Sequence, residues 1–242
     1  MSLASLLFAL LFYVAAAVLV GGVAYRIVGY ARTPAPLKIP TTPAPTTGGG
    51  VVLRLAREVV LFESLFKGSL WLWGLAWLFH AGLALVLLRH LRYFTEPVGS
   101  WLVFLSPFGV YAGFAMAAGL AGLWLRRVLL PPVRYISTPS DHLLLGLLLA
   151  IAGSGLALKF GVHTDVVAVK SFFRGLLTFA WKPLPADPLL WLHLFLVAAL
   201  MIVFPYSKLL HAPGVFFSPS RNQADDPRDR RHIAAWAARL DS

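Results

Sequence analysis

Long apolar runs separated by shorter polar segments dominate the pattern along the chain. Five runs are each about 20 residues long, the length that a helix needs to cross the hydrocarbon core of a bilayer. They lie at residues 3–25, 70–92, 107–127, 141–160 and 189–210. None shows the alternation of apolar and polar residues that marks the strand of a membrane barrel. Because only helices and closed barrels satisfy their backbone in lipid, the pattern predicts an all-α integral membrane protein with a bundle of five transmembrane helices.

Two shorter segments have a mixed pattern. Val51–Phe66 intersperses apolar residues with four charged ones and is too short and too charged to span, so we expect an amphipathic helix at the membrane surface or against a partner. Val166–Phe179 favours a second surface helix. The stretch before the first, Ala31–Gly50, is rich in Pro, Thr and Gly and predicts an extended linker. Residues 26–69 thus form a polar connection within a five-span domain, residues 1–211.

The composition changes sharply after this domain. Residues 212–242 are polar, dense in charge and punctuated by Pro213, Pro219 and Pro227. We expect a cytoplasmic tail that contacts a partner protein; a disordered tail is the alternative.

The overall composition supports a membrane location. Hydrophobic residues make up 59% of the chain and charged residues 13%, against about 25% charged in a soluble domain. The chain has no cysteine, which excludes disulfides, thiolate-bound iron–sulfur clusters and covalently attached c-type haem. Any haem would therefore be held non-covalently by side chains.

Charge predicts the topology. The net charge is +11, which we assign to cytoplasmic loops and not to nucleic-acid binding. Fifteen of the 21 lysines and arginines fall on the side of residues 26–69, 128–140 and the chain after residue 205, with Arg126 and Arg127 counted at the boundary. The other side carries Arg89, Arg92, Lys159, Lys170, Arg174 and Lys182. The first run lacks the basic region and cleavage site of a signal peptide, so we expect a retained span. We expect a multi-pass protein of the bacterial inner membrane, with its N-terminus outside and its C-terminus in the cytoplasm.

Histidines stand out within two of the apolar runs, where such residues are costly and usually functional. The second run carries His80 and His90, and the fifth carries His193 and His211. These two spans run antiparallel, which pairs His80 with His211 near the cytoplasm and His90 with His193 near the outside. We predict two b-type haems, each with two axial histidines, between helices two and five.

The helical geometry of this pairing is uneven. A regular helix separates the first two histidines by about 15 Å along its axis and the last two by about 27 Å, five whole turns on one face. A kink at Pro205 and helix tilt are expected to absorb the difference.

Other roles for histidines remain open. In one alternative, His80, His90, His193 and His211 are packed or interfacial residues without a ligand. In another they bind zinc or copper, although they are too scattered for one compact metal site. His142 follows Ser140 and Asp141, a good helix-capping sequence, and we assign it to the cap or to a haem propionate ahead of ligation. We assign His163 and His232 to solvent or partner contacts.

Supporting residues flank the predicted ligands. Arg89 and Arg92 lie beside His90, and we predict that they pair with anionic haem propionates; end-of-helix arginines that reach the lipid headgroups are the alternative. Small residues on spans two and four are expected to allow close approach of a helix or a macrocycle. These are Gly74, Ala76, Gly82, Gly153 and Gly155.

With these residues in view, the chain resembles the nitrate reductase gamma subunit family over residues 3–211. The five-span layout and the histidine pairs ten and eighteen residues apart carry the resemblance. The tail FFSPSRNQADDPRDRRHIAAW and the long first connection look more like one branch, the DsrM-type subunit of the DsrMKJOP complex of sulfur metabolism. The resemblance implies a dihaem cytochrome b that is linked to quinone or menaquinone. It also implies a cytoplasmic iron–sulfur partner similar to heterodisulfide reductase, and further membrane and periplasmic subunits including a multihaem cytochrome c.

The predicted function is electron transfer across the membrane between the quinone pool and the cytoplasmic partner. The loop Thr95–Ser106 has no lysine or arginine to match a quinol-site base, so no quinone site is carried over. Tyr93, Glu96 and Asp187 are candidates for proton acceptors or hydrogen-bond partners. The alternatives are a haem-containing membrane anchor without quinone chemistry and a haem-free, histidine-dependent transporter.

Overall fold

A computed structural model describes residues 2–34, 40 and 42–226, and their regular structure is helical. Five helices are long and apolar enough to cross a membrane, which confirms the predicted fold class. These are α1 (Leu3–Arg32), α4 (Leu70–His90), α5 (Ser100–Leu129), α7 (Pro139–Phe160) and α9 (Pro188–Val203). Short helices join or follow them: α2 (Gly48–Leu61), α3 (Glu63–Gly68), α6 (Pro131–Tyr135), α8 (Val166–Leu177), α10 (His211–Gly214) and α11 (Pro219–Asn222).

The third span is longer than its sequence pattern predicted. Residues 100–106, which we assigned to a loop, form the first two turns of α5, and Pro107 lies inside the helix. The Trp101–Leu105 segment is apolar and begins directly after Gly99, which caps the helix without a side-chain bond. Pro107 is the eighth residue of α5, where its missing N–H removes one backbone hydrogen bond. The helix nevertheless continues through it within the long apolar run.

The fifth span is shorter than predicted and does not include His211. α9 ends at Val203, and a 3₁₀ turn, Phe204–Tyr206, follows at Pro205. Ser207 is extended, with φ −113° and ψ 173°, and a second 3₁₀ turn then leads into His211 at the start of α10. The prediction that His193 and His211 share one regular helical face is therefore wrong, because the chain changes direction between them.

The first surface segment forms two helices instead of one. α2 and α3 meet at Phe62, whose φ of 51° and ψ of 47° place it in the left-handed region. Glu58 Oε2 on α2 accepts from the Ser64 amide beyond the break, which ties the two helices together. The second predicted surface helix is present as α8, which ends at Leu177, two residues before the expected Phe179.

The tightest packing in the bundle joins α4 to α5. A Cβ atom added at Gly82 would lie 2.8 Å from the Met116 amide nitrogen, and one added at Gly119 would lie 2.8 Å from the Phe79 amide nitrogen. The two backbones are thus in direct contact at two levels. Within the described residues α9 packs on α1 and α7, and it shares no comparable packed face with α4. The two histidine-bearing helices are therefore held apart by their neighbours.

The described part of the tail, up to residue 226, folds back on its own chain. Arg221 on α11 donates to Glu58 Oε1 at 2.9 Å and to Ser64 Oγ at 2.7 Å, at the junction of α2 and α3. The Asp225 amide donates to the Pro45 carbonyl at 2.9 Å. The rest of the predicted tail, residues 227–242 with His232, and the linker residues 35–39 and 41 lie outside the described residues, so partner contact by the tail stays a prediction.

Candidate functional site

His80 and His211 lie together at one end of the bundle. Their ring centroids are 6.0 Å apart and their planes are nearly perpendicular, at 87°. His80 comes from the middle of α4, whereas His211 comes from the first residue of α10 beyond the fifth span. Phe62 and Phe79 contact the His80 ring edge-to-face, with centroids 5.0 and 4.7 Å away. We call this the His80 end of the bundle.

The separation of this pair suits two ligands on one iron. A metal–imidazole bond is about 2 Å long, so a separation of 6.0 Å between the ring centroids would let both histidines reach one iron between them. A cavity of about 560 Å³, open to the surface, lies beside His211 and is also lined by Tyr30, Lys208 and Phe217.

Hydrogen bonding fixes the same tautomer at the predicted ligands on α4 and α10. The Nδ1 atoms of His80, His90 and His211 lie 2.7, 2.7 and 2.8 Å from the carbonyl oxygens of Ala76, Val86 and Lys208 respectively. A carbonyl oxygen only accepts, so each Nδ1 carries the proton. The lone pair of each imidazole is therefore on Nε2, the nitrogen that is free to bind a metal.

His193 has the same arrangement through a hydroxyl group. Its Nδ1 lies 2.9 Å from Ser154 Oγ on α7, and the Ser154 hydroxyl donates to the Ala150 carbonyl at 2.7 Å. Ser154 thus accepts from the imidazole and leaves Nε2 free. A Cβ atom added at Gly155 would lie 3.1 Å from His193 Cε1, so this glycine gives the ring its place against α7. Tyr93, just after His90, packs against the apolar cluster that contains Leu190 and Leu194 of α9. His90 and His193 therefore lie toward the same end of the bundle, which we call the His90 end.

His142 has the opposite tautomer. Trp124 Nε1 donates to its Nδ1 at 2.9 Å, and an indole N–H can only donate. The proton of a neutral His142 is therefore on Nε2, which leaves no lone pair there for iron. His142 was also expected to contribute to the helix cap. The N-cap of α7 is Thr138, and Asp141, at the third helical position, completes a capping box.

The two arginines beside His90 differ in their surroundings. Arg89 passes over α5 at Gly109, where an added Cβ atom would lie 2.7 Å from Arg89 Cδ. Its Nε is buried and has no hydrogen-bond partner among the described residues. An unpaired buried guanidinium nitrogen is costly and suits an anionic group such as a propionate. Arg92 instead lies over the Tyr93 ring, 5.6 Å from its centroid.

A carboxylate that was not predicted as part of the site supports His211. Asp141 is only 5% exposed, and its Oδ1 lies 2.6 Å from Lys208 Nζ. The carbonyl of this same lysine accepts from His211 Nδ1. Asp141 therefore holds the 3₁₀ turn that positions the imidazole. The sequence signal was a carboxylate at the start of an apolar run, which we interpreted only as a helix cap.

The candidate proton acceptors have structural roles. Asp187 caps α9 by accepting from the Leu189 and Leu190 amides, and it accepts from Thr164. Burial alone would raise its pKa, but these hydrogen bonds outweigh burial and hold the pKa of Asp187 below its usual value. Glu96 is ion-paired with Lys170 and lies 3.6 Å from Arg174. The hydrogen bond from Lys170 lowers the pKa of Glu96.

Among the described residues, no group of three or more histidine, aspartate or glutamate side chains is arranged to hold a metal ion. The predicted ligands occur in pairs at two separate levels. A paired arrangement suits haem, because the porphyrin supplies the other four ligands of its iron.

Comparison with known proteins identifies the family. The family model described as nitrate reductase gamma subunit matches residues 63–222, which include all four predicted ligands. The chain belongs to the nitrate reductase gamma subunit family. It is a multi-pass membrane protein of that family, as its five apolar helices also indicate.

Two curated relatives are similar over most of the chain. One is the Hdr-like menaquinol oxidoreductase cytochrome b-like subunit of Archaeoglobus fulgidus, 39% identical over 93% of this chain and 81% of the relative. The other has the same description in Archaeoglobus profundus, with 34% identity over 98% of this chain and 84% of the relative. The predicted family resemblance is thereby confirmed.

Proposed function

We propose that the protein is the dihaem cytochrome b subunit of a quinol-linked membrane complex. His80 and His211 would hold one haem, and His90 and His193 the other. The observation that carries this proposal is the shared tautomer of the four histidines, each with Nδ1 donating to oxygen and Nε2 free. When bound, haem supplies iron that changes its charge by one electron.

The chain contributes ligation, orientation and electrostatics. The carbonyl and hydroxyl acceptors at Nδ1 fix the ring orientation and raise the basicity of each imidazole. Arg89 would offer its unpaired guanidinium nitrogen to a propionate at the His90 end. Phe62 and Phe79 pack against the His80 ring and would limit the access of water to a haem at the His80 end.

The family and the curated relatives support the proposed partners. Both relatives are described as subunits of an Hdr-like menaquinol oxidoreductase. These descriptions support menaquinol as the compound that either donates the electrons or is formed when menaquinone accepts them. We propose a cytoplasmic iron–sulfur partner similar to heterodisulfide reductase at the His80 end. Periplasmic subunits, including a multihaem cytochrome c, would meet the other end in a complex of sulfur metabolism.

The charge distribution supports the proposed location. Positive charge is concentrated at the His80 end, which favours a cytoplasmic position for this end and an outside position for the N-terminus. The protein would thus lie in the inner, cytoplasmic membrane, with one haem near each surface.

The test is a reduced-minus-oxidised optical spectrum with haem quantitation on the purified protein. We expect two b haems per chain, and one per chain in each of the variants His80→Ala, His211→Ala, His90→Ala and His193→Ala. The first two variants should lack the same haem and the last two the other. His142→Ala is the matched control, since it removes a membrane histidine of the opposite tautomer, and it should retain both haems.

Three results would count against the proposal. A wild-type protein that folds and purifies without haem would favour the transporter alternative. Loss of a haem in the His142 variant would contradict the tautomer argument. Two haems that a menaquinol analogue does not reduce in the intact complex would favour the anchor alternative, in which the haems carry no quinone chemistry.

A further inference from the structure

Three of the six basic residues at the His90 end converge on one groove. Lys170 and Arg174 lie one turn apart on α8, and Lys182 follows in the connection to α9. The groove has a volume of about 600 Å³ and its remaining charged residue is Glu96. This concentration stands out because the same end of the bundle is otherwise poor in positive charge.

The charges in the groove are not balanced. Glu96 is ion-paired with Lys170 and lies 3.6 Å from Arg174, so one carboxylate serves two cations. Lys182 forms no ion pair within the described part of the chain, and three cations against one carboxylate leave a net charge of +2. The Lys170 side chain is only 20% exposed. A cation so covered gains most from an anion, because water screens it poorly.

The groove also has hydroxyl groups and an apolar wall. Ser171 and Thr178 line it beside the cations, and Phe94, Val167 and Leu177 form the rest of its surface. Such a lining suits an anionic head group attached to an apolar chain. A concave shape of this volume is typical of a small-molecule site and not of a flat protein interface.

Aromatic residues with polar tips lie next to the helix that forms the groove. Its helix, α8, is bonded to α1 through the Tyr13 hydroxyl, which donates to the Leu176 carbonyl at 2.8 Å. Trp181 Nε1 donates to the same hydroxyl at 3.0 Å, and Trp191 Nε1 donates to the Pro185 carbonyl at 2.8 Å. Tryptophan and tyrosine with satisfied polar groups are enriched at membrane interfaces.

We propose that this groove binds the phosphate head group of an anionic phospholipid. Lys170, Arg174 and Lys182 would pair with the phosphate, and the hydroxyl of Ser171 would donate to one of its oxygens. The acyl chains would leave along the apolar wall toward the bilayer. This site is independent of the haem ligands and of the proposed electron transfer.

The test is native mass spectrometry of the purified, delipidated protein titrated with phosphatidylglycerol or phosphatidylcholine. We expect phosphatidylglycerol to bind at least about tenfold more tightly than phosphatidylcholine, and the variant Lys170→Gln with Arg174→Gln to lose this preference. Lys182→Gln breaks no ion pair among the described residues and should weaken binding severalfold without disturbing α8. Lys159→Gln is the matched control, an exposed cation at the same end outside the groove, and should bind like wild type.

Competition with inorganic phosphate distinguishes a lipid head group from the free phosphate ion as the ligand of the groove. If millimolar phosphate leaves the lipid bound, the lipid is the ligand, as proposed; if phosphate displaces it, the site is for the free ion. Equal binding of the two lipids, or unchanged binding by the double variant, would overturn the proposal. Protection of Lys182 from amine acylation only in the presence of partner subunits would also overturn it, by assigning the groove to a protein.

Discussion

The contact between α4 and α5 depends on two glycines, and replacing either should loosen the bundle. In Gly119→Ala the new Cβ atom would lie 2.8 Å from the Phe79 amide nitrogen and 2.9 Å from the Leu75 carbonyl oxygen. Ordinary contacts of a Cβ atom begin near 3.4 Å. The atoms that it meets are backbone atoms of a regular helix, so no side-chain rotation can relieve the overlap.

The helices must therefore separate by about 0.6 Å at this level. Forcing extra volume into a well-packed contact costs about 1–3 kcal/mol, and alanine recovers up to about 1 kcal/mol of that through its better helix propensity. We expect a net loss of about 1–2 kcal/mol of stability. Gly82→Ala should have a similar effect, because its Cβ atom would meet the Met116 backbone at the same distance.

Thermal unfolding of the purified protein in one detergent measures this loss. Gly74→Ala provides the matched control, since it makes the same substitution on α4 at a position with no other atom within 4 Å of the new Cβ atom. We expect a lower unfolding temperature for the Gly82 and Gly119 variants and an unchanged or higher one for Gly74. Equal unfolding temperatures for all three variants would refute the reasoning that backbone contact holds α4 against α5.

Two further changes test individual interactions. Asp141→Asn should weaken the hold on Lys208 and shift the low-spin electron paramagnetic resonance signal of one haem, because the carbonyl of Lys208 orients His211; an unshifted spectrum with both haems retained would mean that Asp141 is only a helix cap. Glu96 has a lowered pKa when folded, so its contact with Lys170 stabilises the protein above the ordinary carboxyl pKa of about 4.3 and is lost as the pH falls through the lowered value. Between pH 6 and pH 3.5 the unfolding temperature should therefore fall further in wild type than in Glu96→Gln, and parallel curves would contradict this.

The spans and the meeting of His80 with His211 could be predicted because they depend on simple patterns. Twenty apolar residues leave few alternatives to a membrane helix, and the two spans between α4 and α9, an even number, make these two helices antiparallel. The limits of the helices were harder to predict. α5 continues through its proline, whereas the chain after α9 leaves the helix and is extended at Ser207. Both segments carry a proline within an apolar run, so the sequence pattern did not distinguish a continued helix from an ended one.

The supporting contacts were beyond sequence reasoning because they join distant residues. Ser154 and His193 are 39 positions apart, and Asp141 and Lys208 are 67 apart. Phe62 reaches His80 only because its left-handed backbone ends α2 and reverses the chain. A phenylalanine is an uncommon residue for that conformation, so nothing in the local pattern pointed to it.

The extended residue after the fifth span gives the two ends of the bundle different tolerance to changes in chain length. Inserting one residue before His193 within α9 would rotate its imidazole by about 100° and carry it off the inner face of the bundle. Between Val203 and His211 the chain passes through two short turns and an extended serine, where an added residue changes a loop and not a helical register. The spacing between the last two histidines is thus set by turns that can absorb an added residue, while the spacing between the first two, on one continuous helix, is bound to the helical repeat.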